Sequence, residues 1–159
     1  MKNIEKSCCF TGHRPEKLNM SETEVKEKIR NEIVKAIQDG FITFISGMAR
    51  GIDIWAAEIV LQEKKNNPHI KLLCAVPYNG FEKSWSESEK NNYNNIIENA
   101  DYVKFVCEHY SRQCFQIRNV YMVDLSERVI AAYNGIAGGT RNTIKYAEKK
   151  NVEVVNVLI

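Results

Sequence analysis

Three stretches of this chain place small residues between an apolar run and a helix-forming run, with polar side chains beside them. They are Cys9-Phe10-Thr11-Gly12-His13-Arg14-Pro15, Ile45-Ser46-Gly47-Met48-Ala49-Arg50-Gly51-Ile52-Asp53 and Tyr133-Asn134-Gly135-Ile136-Ala137-Gly138-Gly139-Thr140. Glycine lets a ligand come close to backbone N–H groups, and a helix that begins at such a turn points its positive end outward. Phosphate is the group that this arrangement holds. Neither of the last two follows the strict dinucleotide or Walker spacing, so it is the three together that point to a nucleotide-type ligand.

The side chains at these turns sharpen the expectation. Gly12, His13 and Arg14 follow the first apolar run, where side chains leave the sheet edge, and they read either as ligand groups or as a solvated turn closed by Pro15. In the second stretch the amides around Ser46, Gly47 and Gly51 can receive an anion, and Arg50 offers a fork of donors for phosphate or carboxylate. Asp53 falls in the first helical turn, where it either complements the helix dipole or binds ribose hydroxyls. In the third, Gly138 and Gly139 open another helix N-terminus, with Thr140 as cap and phosphate donor and Asn142 one turn inside; an ordinary loop before a helix is the plainer reading. Trp85, Tyr78, Phe81 and Tyr110 lie in or near the segments after the third and fourth apolar runs, where a ring stacks on a base or packs on the surface. Cys107-Glu108-His109 with Cys114 lacks the paired spacing of a zinc site, and neither a Gly-x-Ser-x-Gly elbow nor a Cys–His nucleophile pair stands out. No metal, no cofactor and no covalent catalysis are expected.

The elements that must position these residues alternate. Short apolar runs rich in β-branched and aromatic residues at 7–10, 41–45, 70–76, 102–107, 128–133 and 152–159 predict strands, several of them buried on both faces. Helical patterns at 21–39, 52–65, 84–99, 114–125 and 140–150 lie between them. The first is the clearest: Val25, Ile29, Ile33 and Ile37 recur at spacings of four, after Ser21 as N-cap with Glu24 three residues on, and before Gly40. Such alternation predicts an α/β, Rossmann-like parallel sheet with helices on both faces, right-handed crossovers, and a ligand at the carboxyl ends of the strands, where all three glycine turns fall.

With 159 residues and 44% hydrophobic content, the chain fits one domain, residues 1–159. The opening Met1-Lys2-Asn3-Ile4-Glu5-Lys6 is not followed by an apolar run of signal-peptide length, and no segment approaches membrane-spanning length, so a cytoplasmic protein with no membrane partner is expected. Five cysteines, mostly inside apolar runs, suit reduced thiols rather than a disulfide framework. The balance of 22 basic against 20 acidic residues gives a net charge of +2, which argues against a nucleic-acid partner.

Four motifs in order carry a resemblance: Thr11-Gly12-His13-Arg14-Pro15; Ser46-Gly47-Met48-Ala49-x-Gly51-x-Asp53-x-Trp55-Ala56-Ala57-Glu58; Arg118-Asn119-x-Tyr121-Met122-Val123-Asp124; and Gly138-Gly139-Thr140-x-Asn142-Thr143. From Cys9 nearly to the C-terminus the chain resembles the SLOG superfamily, and within it the compact YpsA-like bacterial branch. The resemblance implies a Rossmann-like fold that binds nucleotides or their derivatives, including ADP-ribose-type signals in some relatives. The superfamily also contains LOG-type phosphoribohydrolases, which cut the N-glycosidic bond of nucleoside monophosphates with an Arg on a helix and a Glu just after a Gly-Gly-x-Gly-Thr turn. Arg118 resembles that Arg in position. After Thr140, however, the chain reads Arg141-Asn142-Thr143, so the acidic residues expected there are missing. A hydrolase would have to use Arg118 with Asp53, or Glu58, from the other turn. DNA-processing A proteins are relatives too, and single-strand binding would require a basic groove with stacking aromatics.

The expected function is therefore sensing or sequestering a phosphorylated nucleotide derivative, of the ADP-ribose or cyclic ADP-ribose type; N-glycoside hydrolysis is the alternative. The 114–125 helix carries Phe115, Ile117, Val120, Tyr121, Met122 and Val123, more apolar surface than one core-facing stripe requires. That excess predicts a homodimer or larger even-numbered oligomer, with Arg118 at or near the interface.

Overall fold

The computed structural model describes residues 5–159, so most of the N-terminal stretch on which the signal-peptide reading rests lies outside the described residues. Six strands form one sheet in the order β4-β3-β2-β1-β5-β6, and every neighbouring pair is parallel. They are β1 Lys6–Gly12, β2 Phe41–Ser46, β3 Lys71–Val76, β4 Tyr102–Phe105, β5 Arg128–Ala132 and β6 Glu153–Asn156. Five helices connect them: α1 Glu22–Gln38, α2 Ile52–Lys64, α3 Glu87–Asn99, α4 Cys114–Asp124 and α5 Gly139–Lys149. This is the Rossmann-like α/β architecture that the alternation predicts.

The period of two along the central strands divides the core. Cys8, Phe10, Phe44, Leu72 and Cys74 face α1, α2 and α3, packing with Val25, Ile29, Ile33, Ala56, Ile59 and Ile96. Cys9, Ile45, Ala75 and Val129 face the other way and meet Met122 and Val123 of α4 and Ala147 of α5. Three helices thus cover one face and two the other. Helix α1 forms as its sequence dictates, since the Ser21 Oγ accepts the Glu24 N–H at 3.2 Å and the buried stripe is Val25, Ile29, Ile33 and Ala36.

Two helix starts and the exposure of one strand depart from expectation. Helix α3 begins at Glu87, not near residue 84, because Ser86 and Glu89 form a reciprocal capping box. Helix α5 takes Gly138 as its N-cap, so Thr140 is not a cap but lies inside the first turn. Strand β4 is a short edge strand exposed along its whole length, with Tyr102 at 52%, although its composition reads like that of the buried strands. No helix is long and apolar enough to cross a membrane among the described residues.

Chain order puts β2, β1 and β5 side by side at the centre, and the chain reverses direction across the sheet at β1. Outside that switch point a doubly wound sheet leaves a crevice. The register seals it from below: Gly12 pairs with Ala132, and the His13 N–H donates to the Ala132 carbonyl at 3.1 Å.

Candidate functional site

The turn after β2 is built around an internal anion. Ser46 Oγ accepts the Met48 N–H at 3.2 Å and donates to the Asp53 carbonyl at 2.8 Å, which holds Met48 in the left-handed region at φ 63° with its side chain fully buried. The Asp53 carboxylate accepts the Ala49 N–H at 3.2 Å. Gly47 sits where no side chain fits, for a Cβ there would lie 2.8 Å from Arg118 Nη1 and 2.9 Å from Asp53 Oδ2. Gly51, the N-cap of α2, has φ +91°, and a Cβ on it would come within 2.7 Å of Pro15 Cδ. The turns after β1 and β2 are thereby wedged together.

Arg118 reaches this turn from α4. Its Nη1 donates to the Gly47 carbonyl and its Nε to Asn119 Oδ1 at 2.8 Å, and the side chain is buried. The guanidinium is turned inward, because a charge excluded from water needs acceptors and Gly47 and Asn119 supply them. Burial lifts the Asp53 carboxyl from the ordinary 3.8 to about 6, against the pull of the Arg118 charge and the Ala49 N–H. Burial likewise presses Arg118 downward, and Asp53 opposes it.

A pH dependence follows from Asp53. A raised carboxyl pKa means that the folded chain keeps a proton that the unfolded chain has already lost, so this contribution to stability is full below 3.8 and lost as pH rises through about 6. Asp53→Asn is expected to flatten the fall in stability between those two values, read by thermal melts over a pH series. An unchanged slope would remove Asp53 as its source.

Above these turns opens a cleft of about 680 Å³. Of the residues expected at a site, Gly12, His13, Arg14, Arg50, Asp53, Trp85, Arg118, Asn119, Gly139 and Thr140 line it. Ser46, Gly47, Gly51, Gly138 and Asn142 do not; the first three act beneath the wall, Gly138 caps α5, and Asn142 donates its N–H back to the Gly138 carbonyl. The structure adds Thr11, Lys17, Ser84 and Phe115. Phe115 reads in the sequence as part of an apolar helix face, and only the placement of α4 brings it to the cleft.

The cleft has two chemically distinct sides. One carries the start of α5, where no side chain caps the first-turn amides, together with Arg14 and Lys17, neither of which forms an ion pair among the described residues. The other is an aromatic wall. Phe81 lies 5.2 Å from Trp85 and 5.9 Å from Phe115, both edge-on, and Tyr78 packs at 5.8 Å from Phe81 and 6.3 Å from Phe115. Tyr110 braces Tyr78 and Phe115 from outside the cleft. Arg50 stands at the rim, 3.7 Å from Glu89. His13, tilted on Tyr133 with ring centroids 5.4 Å apart, has a buried Nε2 with no partner among the described residues, and burial together with Lys17 holds its pKa below the usual value. Asp53 is the single carboxylate on the walls among the described residues.

Comparison with known proteins agrees with this architecture. The UPF0398 proteins of Bacillus thuringiensis (strain Al Hakam) and Bacillus cereus (strain Q1) are each 26% identical over 159 residues, covering 95% of this chain and 86% of theirs. DNA processing protein A (DprA) from Streptococcus pneumoniae shares the fold with a TM-score of 0.68 at 19% identity, over 94% of this chain and 49% of that one. DNA processing protein A from Helicobacter pylori, described with a unique single-stranded DNA binding mode, gives 0.65 at 18% identity, over 94% and 63%. The chain thus spans about half of the pneumococcal protein. These neighbours correct the expectation that net charge argues against nucleic acid: a protein with this fold is described as binding single strands. The physical reason is that a near-balanced total says nothing of local charge: Arg14, Lys17 and Arg50 line this cleft whatever the sum. The profile of the YspA SLOG family matches residues 8–157, almost the whole chain, and with the strand-end glycine turns and the six-stranded parallel sheet in place, this chain belongs to that family.

Proposed function

We propose that the chain binds a phosphorylated nucleotide derivative, of the ADP-ribose or cyclic ADP-ribose type, and senses or sequesters it. One observation carries the reading: a helix N-terminus without a side-chain cap, with two cations unpaired among the described residues, faces an aromatic wall across a single cleft. Phosphate goes to the α5 amides with Arg14 and Lys17, and a base goes against Phe81, Trp85 and Phe115. The turn after β2 plays a lesser part in phosphate binding, because the Asp53 carboxylate already takes up the Ala49 amide. His13 offers a neutral ring nitrogen for a ligand hydroxyl or phosphate.

Binding without cleavage is favoured by the shortage of carboxylates. Glycoside hydrolysis uses a pair of them across the scissile bond. Here Asp53 stands alone on the walls, beside the Arg118 charge, and Glu58 lines a different cavity. Incubation with a panel of nucleoside monophosphates and ADP-ribose, followed by chromatography, is expected to return intact ligand; release of free base would establish a hydrolase. Mass identification of ligand released by heat from the purified protein names the compound. A second reading, single-stranded nucleic acid, is favoured by the same four-ring wall, since bases stack on aromatic rings without sequence preference. An oligonucleotide that displaces ADP-ribose from the cleft would select it. The five free cysteines, four of them buried, support a reducing compartment, the cytoplasm.

A further inference from the structure

A second cavity of about 190 Å³ lies beside the main cleft and shares two wall residues with it, Arg50 and Trp85. It falls below the roughly 300–1,000 Å³ of pockets that enclose whole ligands, so it suits a ring-sized part of one. Its charged groups are mostly satisfied: Lys26 pairs with Glu22 at 3.2 Å and covers the Trp55 ring at 5.3 Å, and Arg50 pairs with Glu89. Glu58 is the exception. This half-buried carboxylate of α2 makes no hydrogen bond or ion pair among the described residues, and burial raises its pKa despite Lys26 nearby. A group in that position accepts N–H donors, and one wall beside it is the Trp85 indole, held edge-on by Phe81 at 5.2 Å and by Tyr93 at 5.5 Å.

We infer that this cavity receives a second base, so that the ligand is of the class with two nucleosides joined through phosphate. The second base lies along Trp85 and donates an amino N–H to Glu58, while the linking phosphate crosses at Arg50, which lines both cavities. The inference rests on the nucleotide reading of the main cleft. The shared chemistry, two bases and a phosphate link, belongs both to free dinucleotides and to successive residues of a single strand.

Calorimetry with ADP, with pyrophosphate-linked diadenosine and with the phosphodiester d(ApA) separates these. At least one two-base compound is expected to bind about tenfold or more tighter than ADP, the size of one stacked base. In Trp85→Ala, which removes the stacking face, and in Glu58→Ala, which removes the acceptor, that advantage is expected to fall at least several-fold relative to ADP measured in the same variant. A gain confined to the pyrophosphate compound assigns a free dinucleotide, and one confined to d(ApA) assigns a strand. ADP binding with no two-base gain, or a gain left at full size by both variants, overturns the second-base site alone. Failure of all three to bind overturns the nucleotide reading and the inference with it.

Discussion

Gly139→Val is expected to fold like the parent chain and to lose at least about a hundredfold in affinity for a phosphorylated nucleotide, roughly 2.8 kcal/mol. The two halves of that result have separate causes. Nothing lies within 4 Å of a Cβ added at Gly139, and its backbone is helical, so the fold has room for the side chain. Yet Gly139 lines the cleft at the uncapped start of α5, where a branched side chain screens the amides from an anion. Charged hydrogen bonds are worth about 1.5–3 kcal/mol each, and more than one is lost. Melting curves and calorimetry on the same sample check it; an unchanged dissociation constant in a folded variant would move the phosphate elsewhere.

The second large effect is expected at Arg118. Arg118→Ala leaves the Gly47 carbonyl and Asn119 Oδ1 without their charged donor, a loss of about 1.5–3 kcal/mol for each charged hydrogen bond, and removes a positive charge that favours the Asp53 carboxylate. Arg118→Lys is expected to recover little of it, because an ammonium cannot span Gly47 and Asn119 as the planar guanidinium does. Chemical denaturation measures the loss. A stability within about 0.5 kcal/mol of the parent would show that Arg118 acts on the ligand and not on the turn.

How far the sequence discloses this varies with the range of the interaction. Helix α1 is local, since its cap, its stripe and its terminal glycine all lie within 20 residues of one another, and its limits follow directly from them. The three glycine turns are also local, and the parallel sheet brings all three to the carboxyl ends of adjacent strands. Exposure of β4 is not local: its apolar residues match those of β3, and only the place of β4 at the end of the strand order leaves Tyr102, Val103 and Phe105 uncovered. Arg118 is expected at the site because it resembles in position the helix Arg of the phosphoribohydrolases. Its hydrogen bond to Gly47, 71 residues away in the chain, is set by how α4 lies over the sheet. Lys17, Ser84 and Phe115 reach the cleft through the same long-range placement.

The position of β1 between β2 and β5 also sets when the cleft comes into being. Cys8 pairs with Phe44 on one side and with Arg128 on the other, so one flank of the central strand is completed by chain made early and the opposite flank by chain made late. On a ribosome, the half-sheet of β1 to β4 precedes β5, α5 and the Gly138–Gly139 turn, and it lacks the end of the cleft to which the proposed function assigns phosphate. Pairing across so long a loop is entropically late. On the proposed function, ligand capture then requires β5 and α5, and a nascent copy that lacks them is expected neither to compete for the ligand nor to draw stability from it.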